Sequence, residues 1–176
     1  MTRHLFRRCA SRLASESGQA LVELAFVLPV LLLLLFAILD FGKVLNYWND
    51  ENDLANVAAR YAAVGKNPGL PSQSLADYIK SKADSAELRA GSGTDAGIQG
   101  TGAQVCIAYV DSTGASVTSP SFGDTVTVTV SSNYKWLPIV GSAIGTTLAK
   151  TITGKAQMRV EVVAPAADAN ISGCSS

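Results

Sequence analysis

The stretch Gly18-Gln19-Ala20-Leu21-Val22-Glu23-Leu24-Ala25-Phe26-Val27-Leu28-Pro29-Val30-Leu31-Leu32-Leu33-Leu34-Leu35-Phe36-Ala37-Ile38-Leu39-Asp40-Phe41 decides how this chain is organised. From 24 to 39 it carries sixteen uncharged residues, all apolar or proline, with five consecutive leucines at 31–35. Adding 19–23 and 40–41 gives about 23 residues, enough for a helix to cross a hydrocarbon layer of about 30 Å. A membrane helix is therefore expected over 19–41.

Charge around this segment sets its direction. Arg3, Arg7, Arg8 and Arg12 precede it against Glu16 alone, and the chain after Gly18 holds 10 bases and 13 acids. A basic flank before the span and few bases soon after it predict a cytoplasmic N-terminus and an extracytoplasmic C-terminal body. That body is mildly acidic and lacks the clustered Lys and Arg of a nucleic-acid surface, so no nucleic-acid partner is expected. A cleaved secretory signal fits less well. The apolar stretch is long for its hydrophobic region, and Asp40-Phe41-Gly42-Lys43-Val44 offers no small-x-small site at its end.

Glu23 is the odd residue of the segment. A carboxylate in the apolar part of a membrane helix costs on the order of 2–3 kcal/mol, which makes it a functional candidate; the plainer reading is a glutamate reaching back to the membrane edge. Its context is a short basic leader, then Gly18, then the glutamate five positions on within an apolar helix. This arrangement resembles a type IV prepilin processing site. The resemblance implies cleavage between Gly18 and Gln19 by a membrane-embedded aspartic prepilin peptidase, leaving Glu23 as the fifth mature residue. It further implies that the Glu23 carboxylate pairs with the freed α-amine of Gln19, on the same or a neighbouring subunit, and sets helix register during assembly.

The blocks Gly18-Gln19-Ala20-Leu21-Val22-Glu23, Leu28-Pro29, Ile38-Leu39-Asp40-Phe41-Gly42 and Ala58-Ala59-Arg60 resemble the TadE-like family. Ala156-Gln157-Met158-Arg159-Val160-Glu161 is similar to that family's last strand. Those are minor pilin-like proteins, or pseudopilins, of tight-adherence (Flp) pilus systems. The resemblance implies a structural or priming subunit whose partners are membrane lipid, the prepilin peptidase, other pilins and pilus-assembly proteins. Two positions depart from the pattern: Asp40 stands where the family usually has glutamate, and the second arginine expected soon after Arg60 is missing, since Tyr61-Ala62-Ala63-Val64 follows.

Beyond the membrane the pattern predicts a helical extension over 42–65. Its apolar positions are Phe41, Val44, Leu45, Trp48, Leu54, Val57, Ala58 and Tyr61, interrupted by the polar 49–52. Tyr47 and Trp48 are placed as interfacial anchors, and Gly65-Lys66-Asn67-Pro68 stops the helix. The head, 66–176, is expected to hold a second helix over 74–89 with Leu75, Ile79, Ala83 and Ala86 inward, opened by Ser74 and Asp77. A glycine-rich loop follows at 91–103, then strands at 104–111, 124–133 and 155–163, with a hairpin connection at 112–121 and a long connection at 133–150. The strands alternate: Val105, Ile107 and Tyr109 share one face, Val126, Val128 and Val130 oppose Thr125, Thr127 and Thr129, and Ala156, Met158, Val160 and Val162 share another. The expected fold class is α+β, an antiparallel sheet with helices on one face. The chain thus reads as a leader at 1–18, a span at 19–41, a helix extension at 42–65 and the head.

Residues for catalysis are scarce. His4, the single histidine, lies in the leader, so the mature chain has no imidazole, and no enzyme activity and no small-molecule substrate are expected. The Gly91-x-Gly93 pair follows a helix and lacks a third glycine at the required spacing, so it does not make a phosphate loop. Asp50, Glu51 and Asp53 suit a cation in principle, but a solvated helix face is the expected reading. No metal site and no cofactor are expected. Asn170-Ile171-Ser172 matches a glycosylation acceptor, a coincidence in a pilus-like protein. Cys9 would leave with the leader, whereas Cys106 and Cys174 fall on the exported side, where disulfides persist. Their pairing is expected, with two free thiols as the alternative. Two function classes remain: a pilus subunit, or a membrane-tethered module whose head binds a ligand without polymerising.

Overall fold

The structure, a computed structural model, describes residues 3–138 and 149–162, with side chains from Gly18 onward. Residues 139–148 of the expected long connection, Val163, the acceptor at Asn170 and Cys174 lie outside the described residues. The chain forms two compact units divided between Leu39 and Asp40. The first contains the N-terminal part of α1 (Arg3–Ala63), with Pro29 inside the helix. None of its side chains from Gly18 to Leu39 is buried. A proline in such a segment is tolerated where membrane helices are concerned.

In the second unit, the C-terminal part of α1 is a core element. Its buried row runs Asp40, Tyr47, Glu51, Leu54, Ala55, Ala58, Ala59 and Ala62, with Val44 half-buried between them. Steps of three and four keep this row on one side of the helix. The expected stripe differs in part: Phe41, Leu45 and Trp48 are exposed, and Tyr47 is packed in the head and is not an interfacial anchor. The two acids at 40 and 51 conceal the true row from a hydropathy reading, because both are buried despite their charge. The alanines at 55, 58, 59 and 62 bring the helix close to the sheet. After Ala63 the helix ends as the sequence predicts. Gly65 takes φ 61°, and the Lys66 N–H donates to the Tyr61 carbonyl at 3.0 Å.

Among the described residues, five antiparallel strands form one sheet: β1 (Gly97–Ile98), β2 (Gln104–Val110), β3 (Ser116–Val117), β4 (Thr125–Lys135) and β5 (Ala149–Arg159). This is the expected α+β class. Strand β4 is central. One edge pairs with β5 along its whole length, Thr125↔Arg159 to Lys135↔Ala149, and the other with β2 and then β1. The alternation holds: Val126, Val128, Val130, Ser132 and Tyr134 face the core together with Ile107 and Tyr109. Strand β5 begins earlier than the apolar pattern indicates, at Ala149. Its first half, Ala-Lys-Thr-Ile-Thr-Gly, reads as a loop because Gly154 ends it. That glycine is a packing requirement: a Cβ there would lie 2.4 Å from the Glu51 carbonyl carbon and 2.5 Å from the Asn52 nitrogen.

The expected second helix is two helices, α2 (Leu75–Ser81) and α3 (Ala86–Ala90). Ser74 caps the first, accepting from the Asp77 N–H at 3.1 Å, and Ser85 caps the second, accepting from the Leu88 N–H at 3.1 Å. Ser85 is the signal that the continuous reading passes over. In consequence Leu88 is buried and Ala86 is exposed, the reverse of the expected pattern at that turn.

Candidate functional site

At the start of the apolar segment, Gly18 lies inside α1 although helix interiors disfavour glycine by about 1 kcal/mol relative to alanine. A Cβ at Gly18 would meet nothing within 4 Å. The fold itself therefore gives no reason for glycine here. At the next residue, Gln19 Nε2 donates to Glu23 Oε1 one turn on at 3.3 Å, and both side chains are exposed. The structure thus brings Gly18, Gln19 and Glu23 together on adjacent turns. The bond to Glu23 comes from the Gln19 side chain, since the Gln19 nitrogen is still a peptide nitrogen in the uncut chain.

At the other end of that segment a second carboxylate is treated differently. Asp40 is 1% exposed. The Tyr134 hydroxyl donates to Asp40 Oδ1, and the Leu137 N–H donates to Oδ2 at 2.9 Å. Tyr134 in turn packs against Tyr47 at 5.7 Å and edge-on against Trp136 at 5.6 Å. Burial, and then the neighbouring carboxylates Asp40 and Glu87, push the Tyr134 and Tyr47 phenols above their ordinary range. Both therefore stay neutral donors.

A third carboxylate, Glu51, is fully buried between α1 and the sheet. Ser132 Oγ donates to Oε1, while Oε2 has no hydrogen-bond partner. Burial pushes the Glu51 carboxyl up to about 7, opposed by the Ser132 bond and aided by Asp50. Asp50 accepts from the N–H groups of Asp84 at 3.0 Å and Ser85 at 3.4 Å, holding the α2–α3 turn against α1. This corrects the expected solvated face: Glu51 is core, Asp50 is a partly buried tie, and Asp53 alone is exposed. Among the described residues no group of three or more metal-ligating side chains gathers. Sequence reasoning missed the roles of Asp40 and Glu51. Their spacing of eleven residues, three helical turns, is the signal that places them on one face.

With this geometry in view, comparison with known families bears on the same segment. Residues 18–60 match the TadE-like protein family. No curated protein and no solved structure matches the chain. The TadE-like segment begins at Gly18, contains Glu23, Asp40 and Glu51, and ends at the exposed Arg60 three residues before α1 stops. It lies within a helical stretch, Gly18–Ala63, that is long and apolar enough to cross a membrane. Outside the TadE-like segment, Cys106 is half-buried on β2, on the sheet face away from Ile107 and Tyr109. Cys106 is not free, and Cys174 lies outside the described residues.

Proposed function

We propose that this chain is a pilin-like membrane subunit of a tight-adherence pilus system, inserted with its N-terminus cytoplasmic and matured by cleavage between Gly18 and Gln19. The observation that carries this reading is the TadE-like match over 18–60, laid on a helix whose apolar side chains from 21 to 39 are all unburied. Gly18 adds support. A Cβ at that position would meet nothing in the fold, and on this reading the glycine serves the processing peptidase. On this reading the protein is a structural or priming subunit and not an enzyme, and its partners are lipid, prepilin peptidase and other pilus-assembly proteins. The test is N-terminal sequencing and intact mass of the protein recovered from membranes. The expected product begins at Gln19 and disappears without the peptidase. Gly18→Trp should leave full-length protein, because an indole would crowd the cleavage site; normal maturation of that variant would refute the proposal.

Cys106 pairs with Cys174 on the same reading, closing a loop of about 69 residues and contributing roughly 4 kcal/mol in the chain-entropy account. Cell-surface alkylation followed by mass measurement should find no reactive thiol in the mature protein. Labelling of both cysteines in undisturbed cells would refute the pairing.

The alternative, a tethered binding module, is favoured by one feature. A cleft of about 410 Å³ beside the β1–β2 junction is lined by the neutral hydrogen-bonding side chains of Gln99, Thr101, Gln104, Ser131 and Asn133. Full-length, uncut protein in membranes would favour this second reading.

A further inference from the structure

We propose that Phe41, Leu45 and Trp48 form a lipid-facing row that carries the membrane span past Leu39, so that residues 24–43 cross the hydrocarbon and Trp48 lies among the headgroups. The inference rests on the membrane-spanning reading above and adds where the span ends. The uncharged run 24–39 has sixteen residues, which as a helix is about 24 Å long, short of the roughly 30 Å of a hydrocarbon layer. About four more residues must enter at one end. At the N-terminal end they bring in Glu23, an exposed carboxylate whose one described partner is the Gln19 side chain. At the C-terminal end they bring in Asp40, which is buried and already has a donor on each oxygen. A carboxylate whose hydrogen bonds are made within the protein is cheaper to place beside lipid than one that must give up water. The span therefore extends toward residue 43.

The side chains of this stretch point the same way. Between 41 and 49 the exposed positions are Phe41, Gly42, Lys43, Leu45, Asn46, Trp48 and Asn49. The three apolar ones, exposed by 54%, 42% and 48%, are spaced four and three apart and so form one line along the helix. In the sequence the same spacing of apolar residues leads back through Ile38 and Leu34 into the apolar run itself. The line ends at the next step, where Asn52 donates to the Trp48 carbonyl at 2.8 Å. Continuity with the span identifies the occupant as lipid. Trp48 stands five residues beyond 43, about 7.5 Å further along the axis, at the depth where indoles concentrate in membranes. Lys43 has a stem long enough to carry its amine from the hydrocarbon edge to the headgroups.

The experiment uses the full chain in phosphatidylcholine vesicles at high lipid-to-protein ratio, with Trp136→Phe leaving Trp48 as the reporter. Flotation with the vesicles tests the anchoring itself; a chain that does not float removes the membrane-spanning reading before the row is at issue. For a floating chain, lipids brominated near the glycerol end of the acyl chain should quench Trp48 at least twofold more than lipids brominated near the chain terminus. Aqueous acrylamide should quench it at least threefold less than free tryptophan. Should Trp136→Phe disturb the fold, the loss of lipid-quenchable emission on Trp48→Phe in the otherwise unchanged chain gives the same reading. Free quenching by acrylamide without quenching by lipid would overturn the proposal. So would lipid quenching that is absent at high protein density and appears only on dilution, since that places a second copy on the row.

Discussion

A glutamate sealed inside a protein with one oxygen unpartnered is held there in its protonated form more readily than in its charged form, and Glu51 is in that position. Its folded-state carboxyl titrates at about 7, above its ordinary value of 4.5. The folded state thus binds the proton more tightly than the unfolded chain does. Stability from this group is complete below about pH 4.5 and is lost as pH rises through about 7, the opposite of an ordinary salt-bridged carboxylate. The difference amounts to roughly 2–3 kcal/mol between pH 4.5 and pH 8. Asp50, also shifted upward by burial, acts in the same direction at lower pH. Thermal melts of the detergent-solubilised protein should show the melting temperature falling across pH 5–8. In Glu51→Gln that slope should flatten and stability at pH 8 should rise. An unchanged slope in the variant would show that the titrating group is elsewhere.

At the scale of elements, the contact that sets the spacing between α1 and the sheet is the pair formed by Gly154 on β5 and the backbone of Glu51 and Asn52. Adding one methyl there, Gly154→Ala, forces backbone atoms apart, because no side chain can rotate out of the way. The expected cost is about 1–3 kcal/mol, measured by chemical denaturation, with a larger loss for Gly154→Val. A neutral alanine would mean that β5 and α1 separate without strain. The same contact explains what the sequence discloses and what it hides. Period-two runs such as Val126-Thr127-Val128-Thr129-Val130 announce β4 because alternation is a local property. The apolar run 24–39 announces itself for the same reason. The first half of β5 is hidden because its strand character comes from pairing with β4, and its glycine answers to a helix about a hundred residues earlier. The split between α2 and α3 was legible in Ser85, but helix-period apolar residues on both sides masked it. Asp40 and Glu51 were visible as acids and not as core residues. Burial of a charge depends on donors from Tyr134, Leu137 and Ser132, which only the fold brings near.

At the scale of the whole molecule, the carboxylates of α1 serve different ends. Asp40 and Glu51 are turned into the body and answer to its own donors, while Glu23 is exposed and has the Gln19 side chain as its described partner. If Glu23 were needed for the chain's own fold, the fold would surround it as it surrounds the other two. On the proposed reading its use lies in what the molecule joins. Glu23→Gln leaves the uncharged run 24–39 unchanged, so the segment should insert at least as well as before. Processing at Gly18 should continue, because that glycine is untouched. What is lost is the partner for the α-amine that cleavage would create at Gln19, whose charge is then left uncompensated where subunits meet. Leaving a charged hydrogen-bonding group unpaired costs about 1.5–3 kcal/mol, which predicts a tenfold or greater fall in the fraction assembled. The measurement is site-specific crosslinking of the mature variant to its assembly partners in intact membranes, read beside surface piliation. The expected result is a cut, membrane-resident protein that does not crosslink. Crosslinking and piliation at the unsubstituted level would reduce Glu23 to a glutamate tolerated at the membrane edge and would remove the register mechanism.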